Sequence, residues 1–565
     1  MNLNKITARR TSVLLASLLA GASFLGAADD VTKVVSDAPS QNEQIARLQA
    51  ALAAQQKQLE TLQKAIEEQQ KMLQSAIATP AAKPAALGTV ASLAPVVPAP
   101  APAPFALPAT PAPKPQPASA SGGNPCETGP DNAVPPYLRL GNVCIIPVGF
   151  MDLTAVWRDK NTGSGIGSSY GSVPFNNTVN GNLSEFRFSP QNSRIGFRID
   201  GNWKGVHFIG YNEFDFLGTS GSSSLQVTNG GVVPRMRLYW VDVRKDKLEF
   251  LAGQSWSLLT PNRKGMSALP SDLFYTQVID VNYALGLTWT RQPGMRMLYH
   301  PNDKVTFGFS AEQPDAYIGG SAGGSTVVLP STYSALSGTQ LDAGSVFLGS
   351  SALSPDLIAK VAFDPSSKFH FEVAGIESTF KTVNPSLLSQ HFSKVGGGLQ
   401  FGGNVELFKG LRFLSNNFYS DGDGRYVFGQ APDLTVRGDG SLSLIHSAST
   451  LDGFEETYKN TLLYTYYGGL YIGRDVAYAA DGKTLTGYGY TGSANSQNRA
   501  VNEFTMGFNQ TMWRNPRCGA INLMGQYEWL QRNPWYVAIG APKNTHDNTI
   551  YLNIRYTLPG SMPNF

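Results

Sequence analysis

From about residue 137 the chain settles into runs of about ten residues in which apolar and polar side chains alternate. In "NTIYLNIRYTL", Ile550, Leu552, Ile554, Tyr556 and Leu558 point one way while Tyr551, Asn553, Arg555 and Thr557 point the other. The same texture recurs in "IIPVGFMDLTAVW", "GVHFIGYNEFDFLG", "VPRMRLYWVDV" and "KVTFGFSAEQ". Side chains on a strand alternate between its faces, so a period of two predicts strands with one apolar side. Repeated through residues 137–565, the pattern predicts a transmembrane β-barrel.

The connections sharpen that expectation because they alternate in length. Short ones are read at 201–202, 245–247, 301–303, 365–367, 408–410, 459–460 and 515–519. Long ones are read near 159–183, 218–232, 256–284, 314–355, 379–393, 422–450, 475–498 and 532–546. Seven short and eight long connections join sixteen antiparallel strands, and outer-membrane barrels carry short turns at one end and long loops at the other. Trp157, Trp203, Trp240, Trp256 and Trp513 fall near predicted strand ends, where aromatic girdles belong. A soluble all-β multidomain protein would leave the alternation in connection length unexplained.

The stretch "LSEFRFSPQNSRIGFRID" then reports which side is wet. Phe186 and Phe188 facing lipid put Arg187 inside, and Ile195, Phe197 and Ile199 facing lipid put Arg194 and Arg198 inside. The two sets are out of phase, which predicts a bulge at Pro190, whose missing N–H suits it to one. An arginine on the lipid face near the midplane would cost about 2–4 kcal/mol. By the same logic Arg235 and Arg237 turn inward between Met236, Leu238 and Trp240, and Arg296 between Met295 and Met297. Arg291, beside Pro293 and a second expected bulge, joins the set without a firm facing. Guanidinium groups hold carboxylates through paired charge-assisted bonds, so arginines on strands two, four and six suggest an anion-selective constriction. The competing reading is that they pair with Glu185, Glu213, Asp200 or other acids of the lumen and only stiffen the wall. The third long connection carries both signs, in Arg263, Lys264, Asp272 and Asp280, and by analogy with trimeric porins is expected to fold inward and narrow the pore.

Ahead of the strands lie three segments of different texture. Residues 1–28 read as a secretory signal peptide, with "MNLNKITARR" as its basic region, an apolar stretch after it, and "GAA" before Asp29 as the cleavage site. Residues 41–77 place Ile45, Leu52, Leu59, Ile66 and Leu73 at successive a positions, with Leu48, Gln55, Leu62, Gln69 and Ala76 at d, free of Pro and Gly. That register predicts an α-helical coiled coil joining copies of the same chain, since its flanking positions are mostly uncharged. Residues 78–125 are rich in Ala and Pro and read as a stiff spacer. The expected order is signal peptide, periplasmic coiled coil, linker and a 137–565 barrel domain.

Charge and cysteines narrow the choice of function. Only 15% of the residues are charged, against 29 Phe, 23 Tyr and 8 Trp, a poor profile for a soluble enzyme. Losing Lys5, Arg9 and Arg10 with the leader leaves 41 basic and 41 acidic residues, so bulk charge gives no case for nucleic acid. Of the three cysteines, Cys126 and Cys144 are the favoured disulfide in an exported chain because they close a short loop. Metal binding by three scattered thiols is the weaker reading, and no cofactor is expected. None of the six histidines sits in a recognisable catalytic motif, and "NTGSGIGSSYGS" lacks the Gly-Lys-Ser/Thr ending of a phosphate-binding loop. We therefore expect a non-enzyme.

"FLAGQSWSLL", followed after a long loop by "RQPGMRM", resembles the GQ-W-S and R-Q-P-x-x-R pattern of the DcaP-like porins. The resemblance covers the general plan of residues 41–565 and specific motifs within 185–300, where Gln254, Trp256, Arg291, Gln292, Pro293 and Arg296 take the matching positions. It implies a homotrimer of sixteen-stranded barrels in the bacterial outer membrane, a periplasmic coiled coil, and passage of small anionic solutes such as dicarboxylic or aromatic acids. The long Ala/Pro tract and the connections at 314–355 and 422–450 depart from the family pattern and leave the solute open. The alternative function is a tether or adhesin, with the barrel as anchor in outer-membrane lipid and the coiled coil against peptidoglycan.

Overall fold

The computed structural model describes residues 138–218, 233–319, 326–336, 352–427 and 431–561, all within the compact unit Pro115–Phe565. The expected signal peptide, coiled coil and linker, and Cys126, lie outside the described residues. Cys144 is disulfide-bonded, and Cys518 is a free, exposed thiol.

Sixteen antiparallel strands close into one barrel. In chain order they are β1 (Val143–Arg158), β2 (Glu185–Ser189 continued by Arg194–Trp203), β3 (Val206–Gly218), β4 (Val233–Lys245), β5 (Leu248–Trp256), β6 (Arg291–Asn302), β7 (Val305–Glu312) and β8 (Asp356–Ser366). There follow β9 (Phe369–Val383), β10 (His391–Phe408), β11 (Leu411–Asp421), β12 (His446–Tyr458), β13 (Thr461–Ile472), β14 (Asn498–Asn515), β15 (Gly519–Pro534) and β16 (Thr545–Thr557). Each pairs with its neighbours in sequence, and β1 closes the ring by pairing with both β2 and β16. Closure leaves no sheet edge with unpaired amides, the condition for spanning hydrocarbon with strands.

The alternation in loop length is present, with turns two or three residues long at one end and long connections at the other. Several turns sit later than the sequence placed them: the first is 204–205, the third 303–304 and the fourth 367–368. The fifth long connection is only 384–390, because β9 runs on to Val383.

Facing follows the alternation on most strands. On β16, Ile550, Leu552 and Ile554 are exposed on the outside while Tyr551 and Asn553 are buried within. On β2 the ladder pairs Arg187 with Val156 and Arg194 with Phe150, and the phase change falls in residues 190–193. There Ser193 N donates to Pro190 O at 3.0 Å and Asp152 N donates to Ser193 Oγ at 3.0 Å, so the bulge sits at Pro190.

On β4 the alternation misleads. Leu238 and Trp240, read as outward, are 0% and 5% exposed and face the interior. The ladder to β3 slips here, with Leu238 opposite Glu213 and Met236 opposite Phe214, which makes Arg237 the extra residue. Trp240 stacks on Tyr211 at 5.5 Å, and Trp256 is 1% exposed inside the barrel, so neither belongs to a girdle. Trp157, Trp203 and Trp513 are exposed on the outer wall. Nor does Pro293 mark a bulge: the β5–β6 register is unbroken. Both strands instead switch face at the Gly253–Gly294 pair, so that Leu251 and Trp256, five residues apart, are both inside. Gly253 holds φ at +129°, and a Cβ on it would lie 2.4 Å from Tyr239 O.

The interior is packed rather than bare. One apolar cluster joins inward residues of β6, β8, β9, β11 and β13–β15, such as Leu298, Ile358, Phe418 and Leu470, to loop residues including Leu258, Leu285, Ile318 and Leu434. A second joins Leu238, Trp240 and Leu251 to Phe274, Val278, Leu287 and Tyr464.

Facing is directly testable by moving charge to the outer wall. Phe197→Arg should cost about 2–4 kcal/mol in urea unfolding from lipid bilayers. The same charge is native one position along, at Arg198. An unchanged unfolding free energy would place Phe197 in water.

Candidate functional site: an arginine wall and an inserted loop

The long connection 257–290 lies inside the barrel, held by wall side chains that accept its backbone N–H groups. Leu258 N donates to Glu312 Oε1 at 2.8 Å, Asn262 N to Glu372 Oε2 at 3.1 Å and Gly265 N to Asp364 Oδ2 at 3.0 Å. Farther on, Gln277 N donates to Tyr466 Oη at 3.1 Å, Ile279 N to Gln526 Oε1 at 2.6 Å and Leu285 N to Glu503 Oε2 at 2.5 Å. The acceptors come from β7, β8, β9, β13, β15 and β14, so the loop reaches most of the way round the wall. Gly286 presses on the opposite strands, where a Cβ would sit 2.0 Å from Thr450 O.

Of the four loop residues picked out by charge, two have ties that the sequence did not show. Arg263 grips Glu455 with two guanidinium nitrogens at 2.7 and 2.6 Å and donates to Tyr275 O at 2.7 Å. Asp280 is buried, accepting from Ser168 N at 2.9 Å and Asn282 N at 2.7 Å, so it clamps the first long connection to the third. Asp272 is half-buried, and burial raises its carboxyl and that of Asp280 above the ordinary range. Lys264 is exposed.

The loop faces the arginine wall through aromatic rings. Tyr275 and Tyr283 stack at 4.6 Å, and both meet Trp256 edge-on, at 5.4 and 6.4 Å. Trp289 closes the group, 5.2 Å from Trp256 and 4.9 Å from Tyr283. Tyr283 has a left-handed backbone, φ +59°, and its carbonyl accepts the hydroxyl of Tyr170. Strain of this kind persists where surrounding contacts impose it.

All seven arginines face the lumen, and they divide into two sets. In the first, each is answered by an acid. Arg235 is bidentate on Asp215 at 3.0 and 2.7 Å; Arg237 bridges Glu213 at 2.8 Å and Asp215 at 2.7 Å. Arg194 lies 3.6 Å from Glu213 and donates to Tyr283 Oη at 3.4 Å, and Arg198 donates to Asp200 at 2.5 Å. In the second, Arg187, Arg291 and Arg296 have no ion pair among the described residues. Arg187 is exposed. Arg291 lies 5.4 Å from the Trp256 ring centroid, with Nη1 buried and unpartnered. Arg296 donates to Trp256 O at 2.6 Å and Ser255 Oγ at 3.3 Å, leaving Nε unpartnered. The two sequence motifs meet across one ladder, Trp256 opposite Arg291 and Gln254 opposite Pro293.

Sequence reasoning missed Asp215, although it stands two positions from Glu213 on the same strand face. It also missed Tyr275, Tyr283 and Trp289. A loop has no period from which a facing can be read.

No protein-family model matches the chain, and no curated protein matches it in sequence. Among solved structures, the outer membrane channel DcaP of Acinetobacter baumannii matches with a TM-score of 0.53 and 16% identity, over 75% of this chain and 99% of that one. OmpF of Salmonella typhi, solved with daunomycin, covers 75% of this chain and 100% of its own, at 10% identity and a TM-score of 0.41. OmpT of Vibrio cholerae covers 74% and 99%, at 9% and 0.39. The likeness to DcaP is one of fold, and it agrees with the resemblance carried by the two motifs.

The two arginine sets should separate in stability. Arg237→Gln removes the guanidinium that Glu213 and Asp215 share, while Arg194 and Arg235 stay with them, and should cost about 1.5–3 kcal/mol in denaturant unfolding. Arg291→Gln gives up only a cation–ring contact and should cost about 1 kcal/mol or less. Equal losses would mean that Arg291 also serves the wall.

Proposed function

We propose that the chain is an outer-membrane porin, a passive diffusion channel for small hydrophilic solutes that prefers anions such as dicarboxylic or aromatic acids. In this reading residues 1–28 direct export, and the barrel sits in outer-membrane lipid as a homotrimer with its long connections outside and its seven turns in the periplasm. Residues 41–77 form the periplasmic coiled coil on the 78–125 spacer, within reach of peptidoglycan.

The observation that carries the anion preference is an excess of guanidinium over carboxylate on the arginine wall: Arg194, Arg235 and Arg237 share two acids, Glu213 and Asp215, and neither Arg291 nor Arg296 has an ion pair among the described residues. Both stand beside Trp256, on a wall where the four arginines Arg194, Arg198, Arg235 and Arg237 meet three carboxylates, Glu213, Asp215 and Asp200. Guanidinium groups in excess of their acids carry net positive charge toward the lumen, and beside an aromatic ring that charge favours solutes that join a carboxylate to an apolar face. Poor screening between low-dielectric walls strengthens the effect. The chemistry needs no nucleophile or cofactor, only a charge that can be approached and left.

Selectivity tests this reading. Reversal potentials in planar bilayers under a salt gradient should favour anions, and Arg291→Gln or Arg296→Gln should shift them toward cations with trimer yield intact. A dicarboxylate should then block the variants less. An unchanged reversal potential in both well-folded variants would remove these arginines from the permeation path.

Assembly has its own test. Removing residues 29–125 should leave a folded, conducting trimer in detergent, because the outer walls supply most of the contact. A monomer would assign assembly to the coiled coil.

A further inference from the structure

Away from the arginine wall, one guanidinium is surrounded by three carboxylates. Arg425 and Asp433, in the connection between β11 and β12, are buried, as are Asp423 and Asp356, the latter at the head of β8. Arg425 donates to Asp356 through Nη2 and to Asp433 Oδ2 through Nη1 at 3.1 Å, and Asp423 Oδ1 lies 3.9 Å from that Nη1. Neutral donors complete part of the shell. Tyr426 Oη donates to Asp356 Oδ2 at 2.7 Å, and Ser378 Oγ of β9 donates to Asp423 Oδ1. Arg425 N and Tyr317 N donate to Asp433 at 3.0 and 2.9 Å. Asp356 Oδ1 and Asp423 Oδ2 are buried with no donor at all. The other charged groups facing the cluster are Glu312 of β7, near Tyr426, and Asp421 at the end of β11, which meets His446 at 3.4 Å on the exposed rim.

One positive charge answers one carboxylate. Two more in a site closed to water would be uncompensated, so the cluster is neutral only if it keeps two protons. Burial, opposed by Arg425 and reinforced by the neighbouring acids, pushes Asp423 up to about 7 and Asp433 up to about 8. The cluster also joins three connections. Asp433 N donates to Tyr317 O at 2.7 Å, which ties down the connection after β7. Trp289 N donates to Tyr426 O at 2.9 Å, which ties the end of the inserted loop, and with it the ring group around Trp256.

We propose that Asp356, Asp423 and Asp433 around Arg425 form a proton-held latch that fastens the β11–β12 connection to the β7–β8 connection and to the end of the inserted loop, and that rising pH opens it. A carboxyl whose proton is held more tightly when closed favours closure while it keeps that proton. The contribution is complete below the ordinary carboxylate range, weakens as pH rises, and is gone above about 8.

Amide hydrogen exchange on the full chain in detergent tests the latch, read at Tyr317, Arg425 and Trp289 and corrected for intrinsic rate. Between about pH 5 and about pH 8, protection at these amides should fall at least about tenfold, the change that one unit of pKa difference supports. Asp423→Asn places a permanent N–H where Oδ2 lacks a donor and removes one titration, so its loss of protection should be smaller by about tenfold. If that variant does not fold, Asp356→Asn offers the same replacement at the other unpartnered oxygen. Constant protection in the wild-type chain across the pH range overturns the proposal, with or without a variant. So does an equal loss in a folded variant.

Discussion

A stretch of backbone without regular structure can lie inside a barrel only if its N–H and C=O groups find partners there, because an unpaired buried amide costs as much as several good contacts return. In this chain the barrel wall provides them. Carboxylates and amides at Asp364, Glu312, Glu372, Glu503 and Gln526 point inward and accept N–H donors from residues 258–285. The wall is polar on its inner face for this purpose as much as for contact with water. Once the loop is seated, its apolar side chains need cover. The inner faces of β4, β5, β6, β8, β9 and β11–β15 turn apolar to give it, in Leu238, Leu251, Leu298, Ile358 and Leu470.

The same demand for compensation divides the arginines. A charge buried beside the loop needs compensation, and Glu213 and Asp215 meet three guanidinium groups between them, which leaves one positive charge in excess. Arg291 and Arg296 differ in having no ion pair among the described residues: one lies across the Trp256 ring and one donates to its carbonyl, each with a buried nitrogen left without a partner. The expectation of wall-stiffening pairs describes Arg194, Arg198, Arg235 and Arg237, and Arg291 and Arg296 are the residues left to the proposed selectivity.

Local irregularities in the strands create this arrangement. The bulge at Pro190 brings Arg187, Arg194 and Arg198 to one side, and the extra residue at Arg237 lets it reach two acids. The switch at Gly253 turns Trp256 inward together with Arg291 across the ladder. A barrel of ideal strands would have sent part of this set into lipid.

The sequence by itself determined the class of the fold. A period of two, alternating connection lengths and a strand count of sixteen are local properties, and closure follows because open edges are intolerable in hydrocarbon. It also showed that the arginines of β2 face inward, because Phe186, Phe188, Ile195, Phe197 and Ile199 leave no other reading, and that a bulge belongs at Pro190. It offered Glu213 and Asp200 as partners without showing which arginine each meets, and it missed Asp215 across the strand pair and Tyr283 on a loop without periodicity. Nor could it place Trp240 and Trp256, because a one-residue slip at Arg237 and a face switch at Gly253 carry no signal in apolar content. Those positions were decided by the tertiary structure, for a physical reason. Facing along a strand is set by neighbours one and two residues away, whereas the partner of a buried charge is set by whatever the closed barrel and its inserted loop bring within three ångströms.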